Sequence, residues 1–202
     1  MSLRPDLAAI AEMIPEGARV LDVGCGDGAL LEHLAKTKKV DGRGIELVQQ
    51  NVNACVARGL AVMQGDADTD LGEYPSAAFD VAILSQTIQA TFSPRDVLNH
   101  LLRIGRRTVI SLPNFGHWKV RLALLTQGRM PRTQALGFQW YDTPNIHLCT
   151  IADFVALAKD SGATIERALA LDAQGRSSVM QADAWGPNLL ADGAIFLLRG
   201  NA

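Results

Sequence analysis

The chain has 202 residues, 48% of them hydrophobic and 20% charged, with a net charge of −2 and a pI near 6.1. That length fits one domain with a sizeable core, and the near-neutral balance leaves no electrostatic footprint for nucleic acid or an anionic membrane surface. No apolar run approaches the roughly 20 residues that span a bilayer, and three scattered cysteines, Cys25, Cys55 and Cys149, argue against a disulfide framework or a zinc site and for a reducing cytoplasm.

The start of the chain, Met1 to Asp6, leads into an amphipathic pattern rather than an apolar leader core, and predicts a helix near residues 5–14. Strand one runs from Arg19 to Val23, followed by a helix over about 28–36. Gly42 to Glu46 reads as strand two, residues 48–58 as a helix stopped by Gly59, and Ala61 to Gly65 as strand three. Phe79 to Ser85 is a nearly continuous apolar strand four. Arg95 to Ile104 is helical, with Ser93 placed to cap it and Pro94 at its first position. Arg103, Arg106 and Arg107 read as a solvated turn before strand five, Thr108 to Leu112. Thr150 to Lys159 is a helix whose Thr150 and Asp153 have capping-box spacing. Two strand-like runs, Ala163 to Leu171 and Gly193 to Arg199, end the chain and suggest an antiparallel hairpin at the sheet edge.

Continuous apolar strands with helical crossovers indicate a doubly wound, Rossmann-like α/β domain over residues 1–202, its mainly parallel sheet covered on both faces. Right-handed crossovers put every strand's C-terminal end on one rim, where open α/β sheets bind their ligands.

The rim residues carry the chemistry. Asp22-Val23-Gly24-Cys25-Gly26-Asp27-Gly28 is a strand, tight turn and helix start with a carboxylate at its mouth. Gly24, Gly26 and Ala29 satisfy the loose dinucleotide pattern, but Asp22 and Asp27 would repel a pyrophosphate at the helix N-terminus. S-adenosylmethionine (SAM) carries a sulfonium and an α-ammonium and no phosphate, so an acidic loop suits it. Glu46, ending strand two, can accept both ribose hydroxyls, which fits NAD and SAM equally; Leu47 is placed for an adenine face. Asp66 and Ala67, after strand three, offer a carboxylate and an N–H to adenine. Ser85, ending strand four, lies where the methionyl part would go. Asp68 and Asp70 read as acids of a surface turn.

Residues 113–149 form a long, irregular segment that holds five of eleven aromatics (Phe115, Trp118, Phe138, Trp140, Tyr141) and two of four histidines. Long insertions over a ligand rim are usually functional. Three roles compete: an acceptor pocket in which His117, Tyr141 or His147 takes a proton, a protein-binding lid or interface, or a satellite core under a loop. Two histidines thirty residues apart, without a third ligand, do not make a metal site.

The rim pattern resembles class I SAM-dependent methyltransferases, which implies the order 3-2-1-4-5-7-6 with strand seven antiparallel. It further implies that Asp22, Gly24 and Gly26 cradle the methionyl group of SAM or S-adenosylhomocysteine (SAH), with Cys25 between them also a cofactor-binding residue. Leu3 to Leu7, Val20 to Gly28, Ile83-Leu84-Ser85-Gln86-Thr87-Ile88-Gln89, Pro113-Asn114-Phe115-Gly116-His117-Trp118 and Trp140 to His147 together resemble the MetW family of methionine-biosynthesis proteins. That resemblance implies homoserine O-acyltransferase as partner and no defined methyl acceptor. A SAM-binding partner protein and an active small-molecule methyltransferase therefore both stand as expectations.

Overall fold

The computed structural model describes residues 3–133 and 136–200, which build one eight-stranded sheet in the order β3-β2-β1-β4-β5-β8-β6-β7. The elements, in chain order, are α1 (Pro5–Met13), β1 (Arg19–Val23), α2 (Ala29–Lys38), β2 (Asp41–Glu46), α3 (Gln49–Ala57), β3 (Ala61–Gln64), β4 (Phe79–Ser85), α4 (Pro94–Ile104), β5 (Gly105–Pro113), α5 (Trp118–Gln127), α6 (Ile151–Asp160), β6 (Ala163–Leu171), β7 (Ser177–Val179), α7 (Trp185–Leu190) and β8 (Gly193–Gly200). Single 3-10 turns cover Leu71–Glu73 and Ile88–Ala90.

Strand residues alternate between two cores, which is why the central strands are apolar on both faces over most of their length. Leu21, Ala82, Leu84, Ile110 and Leu112 join residues of α4 and α6 on one face. Val20, Val81, Ile83 and Val109 join residues of α1 and α2 on the other. Each such side chain, removed from water, contributes about 1.5–3 kcal/mol. Phe154 of α6 and Phe196 of β8 stack at 4.8 Å in the first core. β1 to β5 are parallel, while β8 pairs antiparallel with both β5 and β6. The C-terminal ends of β1 to β6 and the start of β8 therefore share one rim.

The two terminal runs pair antiparallel as expected, and β8 sits between β5 and β6 as the order 3-2-1-4-5-7-6 implies; β7 adds an outer edge strand, and α7 lies between β7 and β8 in the chain. Three expectations change. α5 lies inside the segment expected to be irregular. His117 caps it, its Nδ1 accepting from Lys119 N at 3.2 Å, and Gly128 closes it in the left-handed region. The arginine group is not a turn, because α4 runs straight into β5 at Ile104 and Gly105. Arg103 instead donates to Tyr74 O and Leu71 O, and Arg107 pairs with Glu166 at 2.7 Å. Finally, the Ser93 side chain makes no cap bond. Asp68 in the β3–β4 loop instead holds the approach to the helix, accepting from Phe92 N at 2.9 Å and Ser93 N at 2.8 Å. The expected Thr150–Asp153 capping box is present in full.

Candidate functional site at the strand-end rim

The turn after β1 is stitched to the end of β2. Gly24 N and Cys25 N both donate to Ile45 O, at 2.8 and 3.2 Å. Gly24 has φ +71°, and a Cβ there would meet Thr87 Oγ1 at 2.7 Å, so the turn can lie against the loop after β4 only as glycine. Gly26 has φ +56° and nothing within 4 Å of an added Cβ, so its open side is available to a ligand.

Glu46 is buried and locks this turn. Its Oε2 accepts from Gly26 N at 2.8 Å and its Oε1 from Val48 N at 2.9 Å, leaving lone pairs on both oxygens. Asp22, at the end of β1, is 2% exposed and its Oδ1 has no hydrogen-bond partner among the described residues. Burial, and then the nearby charge of Glu46, push the Asp22 carboxyl up to about 7. An unpaired buried carboxylate oxygen costs free energy until a donor or cation meets it. The α-ammonium of SAM or SAH is a donor of that kind.

The N-terminus of α2, where a dinucleotide would place its pyrophosphate, is occupied by Asp27. Its Oδ1 accepts from Ala29 N at 3.2 Å while Oδ2 holds Arg58 at 3.0 Å. A phosphate would have to displace a carboxylate there, so the geometry opposes one.

Asp66 Oδ1 accepts from Asp68 N, and Asp66 N donates to Asp70 Oδ2, so Asp70 and Asp68 shape the turn instead of standing free at the surface. Ala67 packs on the core, whereas Leu47 is 60% exposed beside Glu46. Ser85 Oγ lies 3.1 Å from Ser111 Oγ, and Gln86 N donates to Ser111 O and Oγ, joining the ends of β4 and β5. Burial raises the Cys25 thiol far above the ordinary cysteine range, so it stays neutral and is no nucleophile. The structure thus brings Asp22, Gly24, Cys25, Gly26 and Glu46 together, with Leu47, Asp66, Ala67 and Ser85 on the neighbouring strand ends of the same rim.

It does not gather the three candidate bases. His117 is 5% exposed and occupied as a helix cap, while Tyr141 and His147 are exposed. Two residues that no base or ligand pattern marks hold the segment down. Gln89, buried after β4, accepts at its backbone O from Ile146 N and His147 N, both at 2.9 Å. Its Nε2 donates to Gln86 O at 2.6 Å and Asn145 Oδ1 at 3.2 Å. Asn114, buried after β5, donates to Asn188 O and Ala191 O and accepts from Gly116 N and Ile151 N. The sequence signal for both is an amide side chain just beyond the end of a strand.

The family model described as "Methionine biosynthesis protein MetW" matches residues 4–198. The chain belongs to the MetW family. A relative from Rhodopirellula baltica, named bifunctional methionine biosynthesis protein MetXA/MetW, is 35% identical over 96% of this chain, which spans about a third (32%) of that relative's length. Among solved structures, a SAM-dependent methyltransferase from Thermotoga maritima matches with TM-score 0.70 at 16% identity, covering 98% of this chain and 88% of that one. Magnesium protoporphyrin IX methyltransferase from Synechocystis PCC 6803, solved with bound SAH, matches with TM-score 0.62 at 16% identity over 97% and 80%. These likenesses establish the methyltransferase fold for this MetW-family chain.

Proposed function

We propose that the chain binds SAM or SAH at the rim and acts as a partner or activator of homoserine O-acyltransferase, docking through residues 113–149. The observation that carries the ligand is the buried, partnerless Asp22 Oδ1 beside an open Gly26, with Glu46 held by two backbone N–H groups. In this reading Asp22, Gly24, Cys25, Gly26 and Ser85 surround the methionyl part, Glu46 takes the ribose, and Leu47, Asp66 and Ala67 take the adenine. The bound group would present its α-ammonium and, as SAM, an activated methyl. The partner is supported by the Rhodopirellula baltica relative, whose name joins MetXA and MetW in one chain. Such fusion gives two modules a high effective concentration, and separate chains need a surface to replace it. The exposed Trp118, Phe138, Trp140 and Tyr141 offer one.

The deciding experiment titrates the chain, with and without SAH, into purified homoserine O-acyltransferase and follows both association and acyl-transfer rate. Association with a changed rate supports the partner role; neither one overturns it. A second reading, an active small-molecule methyltransferase, is favoured by a cavity that opens on the same rim beside Gln86. Labelled methyl transfer from SAM into a metabolite extract tests it, since alignment of the acceptor supplies most of the catalysis when the methyl is already activated.

A further inference from the structure

Five separate segments of the chain meet at that cavity. It has a volume of about 360 Å³ and is lined by Arg4 and Asp6 at the start of α1, Gln86 after β4, Pro113 at the end of β5, Asp172 after β6 and Asp192 before β8. A space of this size is near the lower end of small-molecule pockets, which run from about 300 to 1,000 Å³, so it suits a ligand of amino-acid size.

Its charges are not equivalent. Arg4 and Asp6 neutralise each other through two hydrogen bonds, at 3.1 and 2.8 Å. Asp172 accepts from Arg176 Nε at 2.7 Å and from Gln174 N and Arg176 N, each at 2.9 Å. Asp192 has no side-chain hydrogen bond or ion pair among the described residues, although it is half-buried. Its backbone is fixed on both sides, N donating to Leu171 O and O accepting from Asn114 N, each at 2.9 Å. The Gln86 side chain, also half-buried, makes no hydrogen bond among the described residues either. One uncompensated carboxylate on a fixed stretch of backbone therefore sets the sign of the pocket, which the Gln86 amide and the aliphatic Pro113 also line. An anionic ligand would face Asp192 with no unpaired cation to receive it.

We propose that this cavity binds a small molecule bearing a primary ammonium, with Asp192 accepting from the ammonium, the Gln86 amide orienting a polar group and the aliphatic part lying against Pro113. The binding rests on the cavity itself; only its use as a methyl-acceptor site would rest on the methyltransferase reading.

The test is an NMR titration of the isotopically labelled full chain at pH 7 with butylamine and with pentanoate, which share a four-carbon tail and carry opposite charge. Butylamine is expected to shift the Gln86, Asp192 and Gly193 amides saturably, and pentanoate to leave them in place. Asp192→Asn should weaken butylamine at least about tenfold, the loss expected for a hydrogen bond to a charged group, with Asp192→Glu restoring part of it and SAH affinity unchanged in both. Equal shifts with pentanoate, no saturable shift with butylamine, or full butylamine affinity in Asp192→Asn would each overturn the proposal. Running every titration with and without SAH separates the two sites, because failure to bind SAH sinks the SAM reading and leaves the amine result standing.

Discussion

The strand-end cradle and the aromatic segment are inverted images of each other. At the cradle the acids are inside: Asp22 and Glu46 are 2% and 7% exposed, and one Asp22 oxygen has no partner. In the segment the aromatic groups are outside, with Trp140 at 71% and Tyr141 at 64% exposure, while its polar Asn114 and the Gln89 that holds the segment from the loop after β4 are buried as anchors. A buried charge without a partner suits a small cationic ligand. An exposed aromatic cluster suits a macromolecular surface. One sheet thus presents two kinds of unmet demand, joined by the loop after β4: Thr87 lies against Gly24, and Gln89 two residues later holds Asn145 to His147.

The comparison breaks most severely at the root of the segment. Asn114→Ala removes two donated and two accepted bonds at a site 1% exposed, leaving the carbonyls of Asn188 and Ala191 unpaired. A loss of about 4 kcal/mol is expected, at the upper end for a broken buried network. Urea denaturation measures it, and a change below about 1 kcal/mol would mean that the segment is anchored elsewhere.

A second variant tests the cradle by pH. The Asp22 carboxyl, ordinarily near 3.8, is raised to about 7, first by burial and then by Glu46. A carboxyl with a raised folded pKa contributes stability that is full below its unfolded pKa and is lost as pH climbs through the folded one. The unliganded chain should therefore lose stability between about pH 4 and 8, a loss that Asp22→Asn does not share. The two proteins should match near pH 4 and differ by about 2 kcal/mol in favour of the variant at pH 8, below the roughly 4 kcal/mol that the full shift would give. Parallel stability curves would place the carboxylate in water. SAH reverses the sign, since its ammonium stabilises the ionised acid, so binding to the natural protein should tighten from pH 6 to 8 and lose this dependence in Asp22→Asn.

The two regions also differ in how much of them the sequence discloses. β1 and β4 match their expected bounds to the residue, because a strand buried on both faces is mostly apolar. The rim positions of Asp22 and Glu46 follow once the strands are placed. α5 is not legible in that way: its apolar residues are spread around the helix, and only Val120 is buried. α7 carries Gly186 and Pro187 within six residues, a composition that reads as loop. The clamps are illegible for another reason. Gln89 meets Asn145 across 56 residues and Asn114 meets Ala191 across 77, and a short-range pattern has no term for a polar side chain satisfied at that distance.

The smallest effect on the fold should come from the residue most telling for function. Trp140 packs edge-on against Tyr141 at 5.6 Å and is otherwise largely in solvent. Trp140→Ala should move stability by no more than about 0.5 kcal/mol, as for a surface change. Its affinity for homoserine O-acyltransferase should nevertheless fall about thirtyfold or more, the roughly 2 kcal/mol that marks an interface anchor. SAH binding should not change, because the cradle shares no side chain with Trp140. Calorimetric titration against each ligand reads the split directly. If Trp140→Ala costs stability and leaves the acyltransferase affinity intact, the aromatics are a satellite core, and the inversion between the two regions is a matter of packing alone.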